Sequence, residues 1–461
     1  LTPRAFTVVR DPVHGDIYLT REELRLLDTR QMQRLRGVRQ LGTAYLVYPG
    51  AQHTRFEHSL GTLHMTSRLI EAVNLNRALA PGALIGIADD EARILRAAAL
   101  VHDITHIPNG HAIEDQSGIL ERHDTPARFR RVLAPDTEVG QVLEAMGLRG
   151  EVLAVLAHED AADLPAVPPY WREVLSDTIC GDILDYLKRD AYFTGLNLMY
   201  DDRVVNYFKV DRASGHLFVD VAKRGLVRAD ILSELLRVLD ARYFFSERVY
   251  YHHAKVAAGA MLSLAVENAL VDGGLDPTAL FDQTDDSLVG LLERHPPAEP
   301  DAAARHAELL GRYRSRRLLK RACVYPLYAN REVQADLLAR FFAPGQLVER
   351  TAFEAALGER LSARGIAPPI VLLYCPARQM QLKEAATHVR FPGPGDIRPL
   401  AEFADQLPHL AEIERGYRDL WKLYVLAGSD DPAVLRAVAE ASAELLPEAV
   451  NVYEPAGRVG A

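Results

Sequence analysis

Leu100–His111 reads LVHDITHIPNGH. An apolar run ends at Val101 and delivers His102 and Asp103 side by side, with His106 and His111 close behind. Histidine offers a neutral nitrogen and aspartate an anionic oxygen, a mixture suited to Mn, Fe, Zn or Mg with bound water. Each of these residues alone fits a polar core or surface position, and one His-Asp pair arises often by chance. The pair gains meaning from its company. His58 lies in PGAQHTRFEHSLGTLHM (Pro49–Met65), on a second expected helix, and Asp182 lies in CGDILDYLKRD (Cys180–Asp190), on a third. Three helices of a bundle can direct four ligands at one point. The expected architecture is therefore mainly α, built around His58, His102, Asp103 and Asp182.

The rest of the chain agrees with a globular body. It has 461 residues, 48% hydrophobic and 25% charged, enough for a large core. Cys180, Cys323 and Cys375 are far apart and form no CxxC pair, so no zinc ribbon or disulfide framework is expected. That usage fits a reducing cytoplasm. The segment LTPRAFTVVRDPVHG lacks the apolar core of a signal peptide. No apolar run is expected to reach the roughly 20 residues that span a bilayer, so no membrane partner is expected. A net charge of −10 disfavours nonspecific binding to nucleic acid, which is not indicated as a partner.

Along the chain, residues 1–20 read as extended with a turn at DPVHGD. Helices are expected over REELRLLDTRQMQRLRGVRQ, RFEHSLGTLHMTSRLIEAVN, DDEARILRAAALVHDI (N-capped by Asp89 or Asp90), EVLAVLAHED and WREVLSDTICGDILDYLKRDAYF, and one long helix over roughly 228–270. NYFKVDRASGHLFVDVAK reads as a β-hairpin. Beyond 325, PPIVLLYCP, THVRF and LWKLYVLAG read as strands and DPAVLRAVAEASAELL as a closing helix. The expected division is a helical body over 1–290, a linker and basic helix over 291–324, and a small α+β lobe over 325–461. His158, Glu159 and Asp160 in AHED read as a solvated helix end.

Two helical spacings stand out. Asp182, Tyr186 and Asp190 are at i, i+4 and i+8 and share a face, as do Arg242, Ser246 and Tyr250. Either set also suits a wet helix surface.

Together, DPVHGDIYL, LDTRQMQRLRGVRQLGTAYLVYPGAQHTRFEHSLG and HDITHIPNGH resemble the HD-domain deoxynucleoside triphosphate triphosphohydrolases, of the type that in animals follows a sterile-alpha-motif domain, and bacterial dGTPase-like proteins. The resemblance implies an HD-domain helical bundle with a small β-hairpin insertion and a C-terminal α+β lobe. It implies a divalent metal, Mn, Mg, Fe or Zn, on His58, His102, Asp103 and Asp182. It implies that dNTPs are split into deoxynucleoside and triphosphate. His123 is the implied general acid, with His111 as rival donor, Glu114 as support and His106 near the α-phosphate. Arg55 is implied for phosphate, Gln40 and Asp190 for the 3′-hydroxyl, Leu41 for the nucleoside, Tyr186 against the deoxyribose, and Arg242 and Tyr250 near the phosphates and base.

The resemblance further implies a homotetramer with an activator nucleotide between subunits. Asp28, Gln33 and Arg36 match guanine-reading positions, and Arg317 and Arg321, at i and i+4, match an activator-phosphate pair. Four positions depart from the pattern. Ile183 stands where a lysine on the triphosphate is expected, with Arg189 a candidate to compensate, and Ser246 stands where a histidine is expected. Thr7 and Arg10 stand where a lysine and an asparagine are expected near the activator. These departures keep other readings open: another HD-type monophosphatase or phosphodiesterase, or a nucleotide-sensing or nucleic-acid-binding protein with weak catalysis.

Overall fold

Phe56, Leu60, Leu63, Met65, Leu69 and Val73 are buried on the 25-residue helix Arg55–Leu79, and so are Ser59, Thr62 and Thr66 between them. A helix enclosed on every side carries no single apolar stripe. The structure, a computed structural model, describes residues 6–117, 120–157, 162–343, 345–376, 385–393 and 397–455. The expectation for His158–Asp160 lies outside the described residues. At the start of the enclosed helix the Thr54 N–H donates to Glu57 Oε2 at 2.6 Å, which satisfies a donor the helix cannot.

Helices Asp89–Val101 and Gly181–Thr194 pack against Arg55–Leu79. Two glycines set the second approach. A Cβ on Gly61 would lie 1.8 Å from Asp185 Oδ1, and one on Gly181 would lie 2.6 Å from Thr66 Oγ1. Without them the helices could not come close enough for His58 to meet Asp182.

Several expected helices are broken, each for a local reason. The segment from Arg21 forms Arg21–Leu27, a second helix Arg30–Arg34 and a 3₁₀ turn Leu35–Gly37. Asp28 is the C-cap of the first, and the Thr29 hydroxyl donates to the Leu26 carbonyl at 2.7 Å. The helix expected from Trp171 to Phe193 divides into Pro169–Leu175 and Gly181–Thr194. The break is held from outside: the Ile179 N–H donates to Thr387 Oγ1 and the Ala386 N–H to Thr178 Oγ1, at 3.0 and 2.9 Å. The long helix expected over 228–270 is Ala229–Phe245, a π-helical turn Ser246–Tyr250, and His253–Val271. There the Ser246 hydroxyl donates back to the Arg242 carbonyl at 3.0 Å, a bond that competes with the helical ladder. The Asp89–Val101 helix takes Ala88, not Asp89 or Asp90, as its N-cap, and Glu91 Oε2 accepts the Ala88 N–H at 2.7 Å.

His253–Val271 also corrects the expectation about apolar length. It is long and apolar enough to cross a bilayer, and 67% of that window is buried inside the fold.

The sheets are small and no barrel forms among the described residues, so the molecule is mainly α. Phe6–Asp11 and Gly15–Thr20 form a hairpin. The hairpin of Phe208–Asp211 and Leu217–Asp220 lies within a five-stranded sheet. In that sheet His388–Arg390 runs parallel to Leu217–Asp220, and Ile397–Pro399 and Leu84–Ile85 form the edges. A second sheet orders Lys320–Pro326, Lys422–Ala427 and Val371–Tyr374, all antiparallel. The larger of two buried apolar clusters draws residues from Ile17 to Leu446, and the second is built around His253–Val271. The segment beyond 325 therefore shares both a sheet and a core with the helical body.

A candidate metal centre and its cavity

His58 sits one turn into Arg55–Leu79, His102 caps the end of Asp89–Val101, and Asp182 opens Gly181–Thr194. Their donor atoms converge. His58 Nε2 lies 3.2 Å from His102 Nε2 and 2.9 Å from Asp182 Oδ1, and His102 Nε2 lies 3.7 Å from Asp182 Oδ1. Asp103 completes the group, 3.8 Å from His58 Nε2 and 3.6 Å from His102 Nε2.

The other ring nitrogens fix the tautomers. His58 Nδ1 donates to Asp185 Oδ2 at 2.7 Å, and His102 Nδ1 donates to the Ala99 carbonyl at 2.8 Å. Both Nε2 atoms therefore turn lone pairs to one point, which only a cation or a proton satisfies. Two imidazoles and two carboxylates fit a divalent ion. The same field holds a proton on His58: burial opposes it, but the hydrogen bonds to Asp182 and Asp185 outweigh burial and raise the pKa to about 10. Asp182 is half-buried; desolvation pushes its carboxyl up, yet hydrogen bonds to His102 and His58 hold it below the usual range.

Asp185, Asp11 and His14 were not singled out in the sequence, and Arg189 was expected as a cation for the substrate rather than as a support. Arg189 Nε and Nη2 donate to Asp185 at 2.9 and 3.0 Å, Arg189 Nη1 donates to Asp11 Oδ2 at 2.8 Å, and His14 Nε2 donates to Asp185 Oδ1 at 2.6 Å. Asp185 lies three residues after Asp182 and Arg189 four beyond that, a helical spacing that could have flagged them. Arg189 is fully buried in these pairs, so it does not replace the cation expected at position 183. Ile183 itself is turned into the core.

Arg55 Nη1 donates to Asp103 Oδ2 at 2.6 Å, and His106 Nε2 to Asp103 Oδ1 at 3.2 Å. Beyond them, His106 stacks on His123 with ring centroids 3.6 Å apart, and His111 meets His123 edge-on at 4.8 Å. The His123 N–H and Nδ1 both donate to Glu114 Oε2, at 3.0 and 2.9 Å, while Arg128 Nη1 donates to Glu114 Oε1 at 2.8 Å. Burial pulls the His123 pKa down, the Glu114 hydrogen bond opposes this, and His111 adds to the lowering.

A cavity of about 360 Å³ joins these groups, within the usual size range for small-molecule sites. It is lined by Arg55, Asp103, His106, His111, His123 and Asp182, and also by Gln40, Leu41, Tyr186, Asp190 and Tyr250. Asp190 is held by the Tyr250 hydroxyl, which donates to Oδ2 at 2.7 Å, and by His53 Nε2, 2.8 Å from Oδ1. Gln40 Oε1, Arg55 Nε and His106 Nδ1 are buried polar atoms with no hydrogen-bond partner in the fold, as expected where a ligand completes the bonding. Arg39, Asn109, Lys255 and Tyr374 also line the cavity and were not foreseen. Arg242 is not among the lining residues. It lies by Tyr186, Tyr417 and Tyr250, with Nη1 buried and unpartnered. Ser246 bonds to the Arg242 carbonyl and to the Tyr417 hydroxyl, at 3.0 and 3.3 Å.

The residues expected for an activator lie on several different elements. Asp28 is exposed at a helix end, and Gln33 donates to the Leu27 carbonyl at 2.7 Å while accepting from Arg36 Nε at 2.9 Å. The Arg36 guanidinium stacks 3.6 Å over Phe56. Arg317 and Arg321 do not share a helix: Pro300–Arg314 ends before them, Arg316 has φ +55°, and Arg321 lies in strand Lys320–Pro326. Arg10 pairs with Asp16 at 2.9 Å on the exposed N-terminal hairpin, whose outer strand includes Thr7.

Comparison with known proteins agrees with this geometry. Residues 55–177 match the HD domain and residues 233–449 the HD associated region. An uncharacterized protein of Methanocaldococcus jannaschii is 30% identical over 62% of this chain and 54% of its own. The deoxynucleoside triphosphate triphosphohydrolase SAMHD1 of Homo sapiens is 38% identical over 53% of this chain and 42% of its own. The chain thus spans about half the length of the curated relatives it matches. The crystal structure of a hypothetical protein from Aquifex aeolicus superposes with a TM-score of 0.65 and 21% identity, over 95% of this chain and 100% of that one, a likeness of fold. Residues 55–177 thus match an HD domain, and the His/Asp cluster has the donor set to hold a divalent ion.

Proposed function

We propose that the chain hydrolyses deoxynucleoside triphosphates to deoxynucleoside and inorganic triphosphate. One observation carries the reading: the His/Asp cluster opens onto a cavity that also holds Tyr186, Gln40, Leu41 and Asp190. Phosphate chemistry and a nucleoside-sized recognition surface share one space. The relatives named as deoxynucleoside triphosphate triphosphohydrolases support it.

His58, His102, Asp103 and Asp182 would hold a divalent ion, which when bound would supply Lewis acidity to the attack of water on phosphorus. The protein's own groups do the rest. Arg55 neutralises phosphate oxygen, and His106 lies beside it. His123, oriented by Glu114, gives its proton to the departing 5′-oxygen; His111, against its ring, is the alternative donor. Tyr186 packs against the sugar and leaves no room for a 2′-hydroxyl, while Asp190 and Gln40 bond the 3′-hydroxyl. With Ile183 buried, Arg39 and Lys255 supply positive charge to the cavity wall. The proposed setting is a homotetramer in the cytoplasm, activated by a nucleotide such as dGTP. Cys180, Cys323 and Cys375 are buried and form no disulfide, in keeping with a reducing compartment.

Ile183 also favours a second reading, an HD-type monophosphatase or phosphodiesterase, which needs fewer cations than a triphosphate. Ion chromatography of products separates the two. With dNTPs and Mn or Mg, inorganic triphosphate is expected; orthophosphate or a monophosphate product sinks the triphosphohydrolase reading.

A further inference from the structure

Away from the cavity, Glu173 on helix Pro169–Leu175, His216 just before strand Leu217–Asp220, and His388 at the start of strand His388–Arg390 come together. We propose that these three residues form a second, structural metal site for a zinc-class divalent ion, which staples the segment beyond 385 to the five-stranded sheet.

Glu173 Oε1 lies 2.5 Å from His216 Nδ1 and 3.6 Å from His388 Nδ1. Glu173 Oε2 accepts the Leu217 N–H at 2.7 Å, which turns Oε1 towards the imidazoles. The two rings stack with centroids 4.1 Å apart, so both Nδ1 atoms face the same carboxylate. His388 Nδ1 is buried and has no hydrogen-bond partner. A buried ring nitrogen left unsatisfied beside a second imidazole and a carboxylate is a donor awaiting a cation. The three donor atoms lie within 4.8 Å of one another. Zinc bonds of about 2.0–2.1 Å at a tetrahedral angle place donors roughly 3.3 Å apart, so the His216–Glu173 pair opens slightly and His388 closes. The side chains keep 15–34% exposure, which leaves room for water as a fourth ligand.

The position gives the site its role. His388–Arg390 pairs in parallel with Leu217–Asp220, His388 opposite Phe218. The residues just before it, Ala386 and Thr387, bond to Thr178 and Ile179, three to four residues ahead of Asp182. An ion here ties strand His388–Arg390 to the break that aims the Gly181–Thr194 helix.

The test is metal content. The full chain is equilibrated with zinc, dialysed against metal-free buffer and assayed by plasma mass spectrometry beside Glu173→Gln and His388→Ala. Each variant is expected to hold one zinc equivalent less than wild type, while His58→Ala loses a different equivalent and the His58→Ala/Glu173→Gln pair loses both. Zinc is expected to raise the melting temperature of wild type more than that of either staple variant. Glu173→Gln keeps the acceptor for Leu217, so it decides the matter if His388→Ala folds poorly. A wild-type zinc content no higher than that of Glu173→Gln overturns the site. This outcome is independent of the proposed reaction, whose products are assayed separately.

Discussion

Asp185 orders the candidate metal centre without joining it. Its carboxylate is held by Arg189 and His14 and in turn holds His58 Nδ1, so the chain Asp11–Arg189–Asp185–His58 sets one imidazole's tautomer. Asp103→Ala or His58→Ala is expected to lose bound metal and hydrolysis while the far-UV circular dichroism stays native; full metal content in either would refute the ligand set. His123→Ala is expected to keep metal and lose turnover by about 10²–10⁴-fold. Unchanged kcat would move the acid role to His111. The pH profile adds a second check. A general acid works while protonated, so rate falls as pH rises through its pKa. In the free protein that pKa is lowered, by burial first, whereas a bound polyphosphate anion stabilises the imidazolium. The alkaline fall of kcat/KM is therefore expected at lower pH than that of kcat, and coincident limbs would argue against His123.

Between elements, distance is set by small residues and cost by buried charge. Gly61→Ala places a methyl against Asp185 and is expected to destabilise by about 1–3 kcal/mol or more, measured by urea unfolding, with loss of metal as the helices part. Glu354, on helix Leu347–Ala363, accepts the Leu373 N–H at 2.9 Å. Burial is the main cause that raises its pKa from 4.5 to about 8, against the pull of Arg350. The folded state thus binds a proton that the unfolded chain releases near pH 4.5, so stability falls as pH rises from there to about 8. Glu354→Gln keeps the acceptor and removes the titration. It is expected to match wild type below pH 4.5 and to exceed it increasingly up to pH 8, each tenfold in proton affinity being worth about 1.4 kcal/mol. Parallel pH–stability curves for the two proteins would contradict this.

For the whole molecule, the open question is assembly. Arg36 stacks on Phe56, the neighbour of Arg55, which holds Asp103. A guanine nucleotide seated on Asp28, Gln33 and Arg36 would press on the helix that carries His58. Such a ligand acts only through different affinities for two states. With dGTP, sedimentation velocity is expected to show a larger assembly and dATP hydrolysis to rise, both lost in Arg36→Ala. An unchanged sedimentation coefficient with unchanged dATP turnover would mean that the exposed Arg36 serves packing alone.

The mainly α architecture and the convergence of His58, His102, Asp103 and Asp182 were legible in the sequence. Helical periodicity places His58, His102 and Asp182 on separate helices, and their chemistry leaves few purposes for meeting. The hairpins at 6–20 and 208–220 were legible from alternation and turn residues. The helix breaks at 28–29, 176–180 and 246–252 were not, because partners distant in sequence or back-bonding hydroxyls hold them: Thr387 and Ala386 for the second, Ser246 for the third. Nor was the Asp11–Arg189–Asp185 support: Arg189 was expected to serve the substrate, and its pairing with Asp11 joins residues 178 positions apart. The pairing of His388–Arg390 with Leu217–Asp220 joins residues some 170 positions apart. Local pattern carries periodicity and side-chain chemistry; which strands pair, and which buried charges find each other, is decided only when the whole core closes.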